Sequence, residues 1–280
     1  MRVLAMSVSK GEFRSINYSA FDGQTLFAVT AGDPKLSSLV LMHGGGPDHQ
    51  SLLPLGRQLL NCCRVILPDI RGYGRSICRD AGRHTWAQYA DDVAALLDHL
   101  GLDRAFVGGA GLGSTVALRF AQAYPERAKG LILISVEDIE DDDAKQLEVA
   151  FMEAFAERVR SDGIDAAWAP ILPDLAPIIG VMVRDAIPRS DPASIAAAAS
   201  IGYDRSFRSV NDLASIEAPA LIFPGMDARH PPGLARNLAR MLKGGEYACT
   251  IMSPDIDTAH TFASAFAPEI AEFIARQSAT

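Results

Sequence analysis

Unbroken apolar runs alternate with helical periods along most of this 280-residue chain. Residues 39–42, 65–67, 105–108, 131–134 and 220–224 are apolar without interruption, the pattern of strands covered on both faces. Two earlier strands, over 12–19 and 24–30, flank a turn at Asp22-Gly23. Helical periods fall between the runs. One covers 51–60. Another covers 86–100, with Thr85 as its cap, Tyr89, Val93, Leu96 and Leu97 on the inner face, and Gly101 as its stop. A third carries Val116, Leu118, Phe120 and Ala121. After the last central strand come a helix over 231–242, a strand over 246–252 and a final helix over 268–277. This alternation predicts an α/β protein with a mostly parallel central sheet flanked by helices. Between 136 and 210 the rhythm breaks. No strand pattern occurs there, helical patterns pass through Leu147, Phe151, Phe155 and Val159 and then 168–175, and Pro170, Pro173, Pro177 and Pro188 punctuate the rest. The expected organisation is a core of residues 1–135 and 211–280 with a helical insertion over 136–210. The acidic run over 137–143 reads as a solvated face.

The chemistry centres on Phe106-Val107-Gly108-Gly109-Ala110-Gly111-Leu112-Gly113-Ser114, where a strand ends in glycines and a helix begins. The spacing Gly109-x-Gly111-x-Gly113 fits the small-x-nucleophile-x-small turn in which strand and helix pass too closely for bulky flanking residues. The middle position, from which an attacking side chain would project, is Gly111. Ala110 is equally inert. Ser114 lies inside the helix and lacks the small residue two places on that the turn requires.

With that turn, four further motifs resemble the α/β-hydrolase superfamily over nearly the whole chain. They are His43-Gly44-Gly45-Gly46, Leu67-Pro68-Asp69-Ile70-Arg71-Gly72-Tyr73-Gly74-Arg75-Ser76, Tyr124-Pro125-Glu126-Arg127, and Phe223-Pro224-Gly225-Met226-Asp227 followed by His260. The resemblance implies an α/β-hydrolase fold, with 136–210 as an inserted helical cap whose Phe151, Phe155, Trp168, Ile171 and Met182 roof a pocket. It implies that Asp227 is the acid and His260 the base of a catalytic dyad, with Glu137 a second candidate for the acid. It implies that the N–H groups of Gly45 and Leu112 hold an oxyanion, with Gly44 and Gly46 as near-equal alternatives. His49 and Arg71 stand near the mouth, Arg71 as a loop brace. Gly111, at the nucleophile position, departs from the pattern. In this respect the chain is similar to the N-myc downstream-regulated proteins, which are regarded as non-enzymatic. The leading expectation is a protein acting on a small, mostly apolar ester, lactone or other carbonyl compound through His260 and Asp227, with water where the hydroxyl is missing. The alternatives are a non-catalytic ligand-binding or interaction protein, and a serine or cysteine hydrolase whose nucleophile has been replaced.

Composition narrows the partners. The apolar share of 49% can fill a sizeable core, and a net charge of -8 argues against nucleic-acid and membrane-surface partners. No apolar run reaches the ~18 residues of a membrane span, and residues 1–10 lack the apolar centre of a signal peptide, so a cytoplasmic location is expected. The four cysteines show no C-x-x-C spacing and read as reduced thiols. The pattern calls for no metal or cofactor. The expected partner is a small-molecule substrate or ligand, and a homo-oligomer is left open.

Overall fold

In the computed structural model, which describes residues 11–279, one sheet carries strands β1 (Arg14–Ser19), β2 (Thr25–Ala31), β3 (Ser38–Met42), β4 (Arg64–Pro68), β5 (Ala105–Ala110), β6 (Ala128–Ile134), β7 (Ala220–Phe223) and β8 (Gly245–Tyr247). The spatial order is β1-β2-β4-β3-β5-β6-β7-β8. β2 runs antiparallel to both neighbours, and the strands from β4 onward are parallel. Residues 1–10, where no signal-peptide centre is read, lie outside the described residues.

The helices are α1 (Leu53–Leu59), α2 (Trp86–His99), α3 (Leu112–Ala123), α4 (Asp142–Asp162), α5 (Ile164–Trp168), α6 (Pro177–Ala186), α7 (Pro192–Ala198), α8 (Pro232–Met241) and α9 (Ala259–Ser278). Along β6, Leu131 and Leu133 join the core that includes α2, α3 and α8, while Ile132 and Ile134 join the one that includes α1 and α9. Successive strand side chains point to opposite faces, and both faces are covered. The central strands therefore read as unbroken apolar runs rather than as alternation. Thr85 caps α2 by accepting the Gln88 N–H at 3.1 Å.

Four helices, α4 to α7, lie between β6 and β7, with an apolar cluster of their own built on Phe155, Val159, Ile164, Ala167 and Ile195. Among the described residues this stretch contains no strand, only an isolated bridge between Ile139 and Phe207.

Two expected elements differ. The strand over 246–252 is reduced to β8, because the N–H groups of Cys249 and Thr250 turn to the Glu269 carboxylate at 2.8 and 3.0 Å instead of a ladder. The last helix begins at Ala259, nine residues before Pro268, which lies inside it. Thr258 and Thr261 cap that start reciprocally. His260 is therefore an exposed residue in the first turn of α9 rather than a loop residue. The four cysteines are free, and no helix among the described residues is long and apolar enough to cross a membrane.

Candidate active site

The turn between β5 and α3 has the geometry its glycines imply. Gly111 sits at φ 51°, ψ -120°, a conformation that side-chain-bearing residues adopt only under strain. A Cβ on Gly109 would lie 2.5 Å from the Gly113 carbonyl carbon, and one on Gly113 would lie 2.6 Å from the Met42 carbonyl oxygen. The Gly111 N–H donates to the Ile134 carbonyl at 2.9 Å, and its carbonyl accepts from Ser114 N–H at 2.8 Å and Thr115 N–H at 3.3 Å. Leu112, the first residue of α3, has no intrahelical acceptor for its N–H and lines the cavity. Ser114 is fully buried. Its hydroxyl bridges the carbonyls of Gly109 and Ile134 at 2.6 and 2.8 Å, so it fastens the turn and faces no cavity.

The glycine loop after β3 is tied down by His43. Ile70 N–H donates to His43 Nε2 at 2.9 Å, so the ring's proton is on Nδ1, which donates to the Gly44 carbonyl at 2.8 Å. Burial holds this imidazole below its ordinary pKa, in keeping with a neutral ring. Gly44 and Gly45 line the same cavity as Gly111.

A chain of charges stands over Gly111. His230, in the loop before α8, is buried, and its Nδ1 meets Asp227 Oδ1 at 2.8 Å. The same carboxylate oxygen accepts the His230 N–H at 2.9 Å, and Asp227 Oδ2 accepts the Ala176 N–H at 3.1 Å. His230 Nε2 lies 3.4 Å from Glu137 Oε2 and 3.5 Å from where a Gly111 Cβ would be. Arg229 donates through Nε to Glu137 Oε2 at 2.8 Å and through its terminal nitrogen to Glu148 Oε1 at 2.6 Å. Burial pushes the Glu137 carboxyl up, but the Arg229 and His230 charges outweigh it and hold it at about 2. Burial pushes His230 down, but Glu137 and then Asp227 outweigh it and hold the imidazole at about 10. At neutral pH the pair is a carboxylate and an imidazolium. Asp138 is pushed well above the carboxylate range by burial and by the Glu137 charge.

These groups form one end of a cavity of about 130 Å³. The rest of its wall is mostly apolar. Phe151, Phe155, Trp168, Ile171 and Met182 of the helical segment all contribute, joined from the sheet side by Leu52, Met252 and Phe262. The volume is close to that of an apolar cavity that accepts benzene, ~150 Å³.

The site differs from the sequence expectation at one residue above all. His260 does not line the cavity, and the Asp227 carboxylate that was to orient it is engaged by His230 instead. The cause is α9: by starting at Ala259 it turns His260 outward to solvent. The signal for His230 was its spacing, three residues after Asp227 on one loop. Gly111, Leu112, Gly44, Gly45 and Glu137 line one cavity, and Asp227 stands behind it, joined through His230 rather than through His260. Glu137 and Glu140 are buried, so the acidic run is a solvated face only from Asp141 to Asp143. His49 pairs with Asp69 at 2.8 Å, and Arg71 with Asp92 and Asp22, both away from the cavity. Asp138, Glu140 and Glu148 bring carboxylate oxygens within 4.8 Å of one another. Lys145 and Arg229 already neutralise two of the three.

A sequence profile of the alpha/beta hydrolase fold matches residues 38–174, which include the glycine loop and the elbow. The chain belongs to the α/β-hydrolase superfamily. Within it, a probable proline iminopeptidase of Leptolyngbya boryana is 36% identical over 39% of this chain and 34% of its own. The aligned stretch thus spans about a third of the first such relatives, 34% and 38% of their lengths. The 2-hydroxy-6-oxo-2,4-heptadienoate hydrolase of Pseudomonas putida is 27% identical over 74% of this chain and 76% of its own. Among solved structures, a thermophilic esterase from Thermogutta terrifontis superposes with a TM-score of 0.72 at 26% identity, over 95% of this chain and 97% of that one. In this chain the superfamily's elbow is intact in backbone, and the group facing it is a carboxylate–imidazole pair.

Proposed function

We propose that this α/β hydrolase cleaves a small, mostly apolar ester or lactone by direct attack of water, with residues 136–210 acting as the cap over the substrate. His230 and Asp227 are the proton-handling dyad, and the N–H groups of Gly45 and Leu112 receive the oxyanion. The observation that carries this reading is the His230 imidazole, oriented by Asp227 through Nδ1, with Nε2 3.5 Å from the empty side-chain position of Gly111. A water molecule there has the imidazole on one side and the substrate carbonyl on the other. The relatives' names, an iminopeptidase, a hydrolase and an esterase, favour hydrolysis. As an imidazolium, His230 supplies the proton that the leaving alkoxide needs. Asp227 fixes its tautomer and supports its charge. The apolar wall excludes bulk water and strengthens the oxyanion contacts.

The test is a panel of short-chain aryl esters and lactones. His230→Ala should lower kcat/KM at least ~100-fold, while His260→Ala should leave it unchanged. Full activity in His230→Ala would overturn the reading.

One observation favours a second reading, a ligand-binding protein without chemistry. Glu137, Arg229, His230 and Asp227 are already paired with one another, and Gly111 offers nothing that attacks. Under that reading, panel compounds raise the melting temperature and none is turned over.

A further inference from the structure

Direct attack by water requires a base beside it, and His230, protonated at neutral pH, is not that base. We propose that Glu137 is a catalytic residue: its Oε1 takes the proton of the attacking water, from the space that Gly111 leaves open. This rests on the hydrolytic reading above.

The geometry separates the two oxygens of the carboxylate. Oε2 receives Arg229 Nε and faces His230 Nε2. Oε1 is turned to the elbow, 3.0 Å from where a Gly111 Cβ would lie. Glu137 thus borders the space of the absent side chain with an oxygen that carries negative charge. Its backbone is held for this purpose from both sides. Ser135 and Asp138, neither of them glycine, have φ of 53° and 60°, and Thr115 Oγ1 donates to the Glu137 carbonyl at 3.0 Å. Backbone strain of this kind persists where surrounding structure fixes a functional geometry; a salt bridge to Arg229 alone does not require it. The groups that face the carboxylate are Arg229 and His230 from the loop before α8, Asp138 from its own loop and Tyr73 from the loop after β4. Glu148 of α4 acts on it through Arg229.

The step balances. A water O–H bond breaks and its proton goes to Oε1, while the water oxygen bonds to the carbonyl carbon. The carbonyl π electrons move to the oxygen held by the Gly45 and Leu112 N–H groups. Collapse of the tetrahedral intermediate breaks the bond to the leaving alkoxide, which takes the Nε2 proton of His230. A water molecule then carries the Oε1 proton to Nε2 of His230, because the direct 3.4 Å contact of that nitrogen is with Oε2. Ester and water become acid and alcohol, and both side chains are restored.

The experiment uses the full chain with Glu137→Gln, Glu137→Asp and His230→Ala, on p-nitrophenyl esters and small lactones, with unfolding midpoints recorded for each. Glu137→Gln should lower kcat at least ~100-fold with KM nearly unchanged. Glu137→Asp keeps the charge for Arg229 and withdraws the oxygen from Gly111, and should lower kcat at least ~10-fold. A purely structural role would not change the form of the pH profile. Wild type should be level from about pH 5 to 9, whereas residual activity in Glu137→Gln should rise with pH above about 6.5, as the imidazole, still supported by Asp227, loses its proton and takes over as base. In oxygen-18 water, a single turnover should put the label in the product acid. Label in the Glu137 carboxylate would mean that it attacks the carbonyl itself and would overturn the assignment as base. Full activity in either Glu137 variant, with His230→Ala inactive, overturns the assignment and leaves the hydrolytic reading standing. Activity retained in His230→Ala, or wild type inert to the whole panel, overturns both.

Discussion

At residue 111 a side chain would meet two obstacles: a left-handed backbone and the Glu137 oxygen at 3.0 Å. Gly111→Ser should therefore lower stability by about 1–2 kcal/mol from the backbone alone, measurable by denaturant unfolding. It should also fail to gain esterase activity while Glu137 remains. A large gain from the serine alone would identify a serine hydrolase that has lost its nucleophile. The pair beside it sets the pH dependence of stability. His230 has a folded pKa raised to about 10, so its contribution is complete below ~6.5 and fades between there and about 10. Glu137 is depressed to about 2, so its contribution is complete above ~4.5 and fades as pH falls to about 2. The melting temperature should be level between these limbs, and His230→Ala should flatten the alkaline one. Much of this site is legible in sequence, because glycine spacing reports backbone approach directly. Gly109 and Gly113 announce the elbow before any coordinates. The imidazole is not, because an ordinary loop histidine and an oriented one look alike until the carboxylate of Asp227 is seen to choose between His230 and His260.

Elements obey the same division. The central strands are readable because both their faces are buried, and α2 because Thr85 and Gly101 bracket it. β8 is misjudged because an apolar stretch says nothing of where its N–H groups will go, and here Glu269 of α9 takes two of them. α9 is misjudged because a proline suits a helix start, while in the chain Pro268 lies mid-helix and the Thr258–Thr261 cap marks the true beginning. α3 and β3 pass close together at Gly113. Gly113→Ala would bring a methyl within 2.6 and 2.7 Å of the Met42 and His43 carbonyl oxygens. Backbone cannot yield as a side chain can, so the expected cost is about 3 kcal/mol or more. Denaturant unfolding checks it, and a variant as stable as wild type would mean that α3 can lift off the sheet.

Across the whole molecule, the helical segment is fastened to the sheet at opposite ends. Arg189 grips Asp48 through two bonds of 2.7 and 3.1 Å, and Ser194 Oγ donates to the carbonyls of Gly72 and Cys78. Arg189→Ala leaves the buried Asp48 without its cation. Because Arg189 itself is partly exposed, the expected loss is only about 1–2 kcal/mol, with faster limited proteolysis between β6 and β7 as the measurement. At the other end a single guanidinium, that of Arg229, holds Glu148 of the roof and Glu137 of the floor together. Displacing α4 would strip one anion from that cation and leave Glu137 as its remaining carboxylate partner. The placing of that helix and the electrical state of the chamber beneath it are thus joined through one side chain.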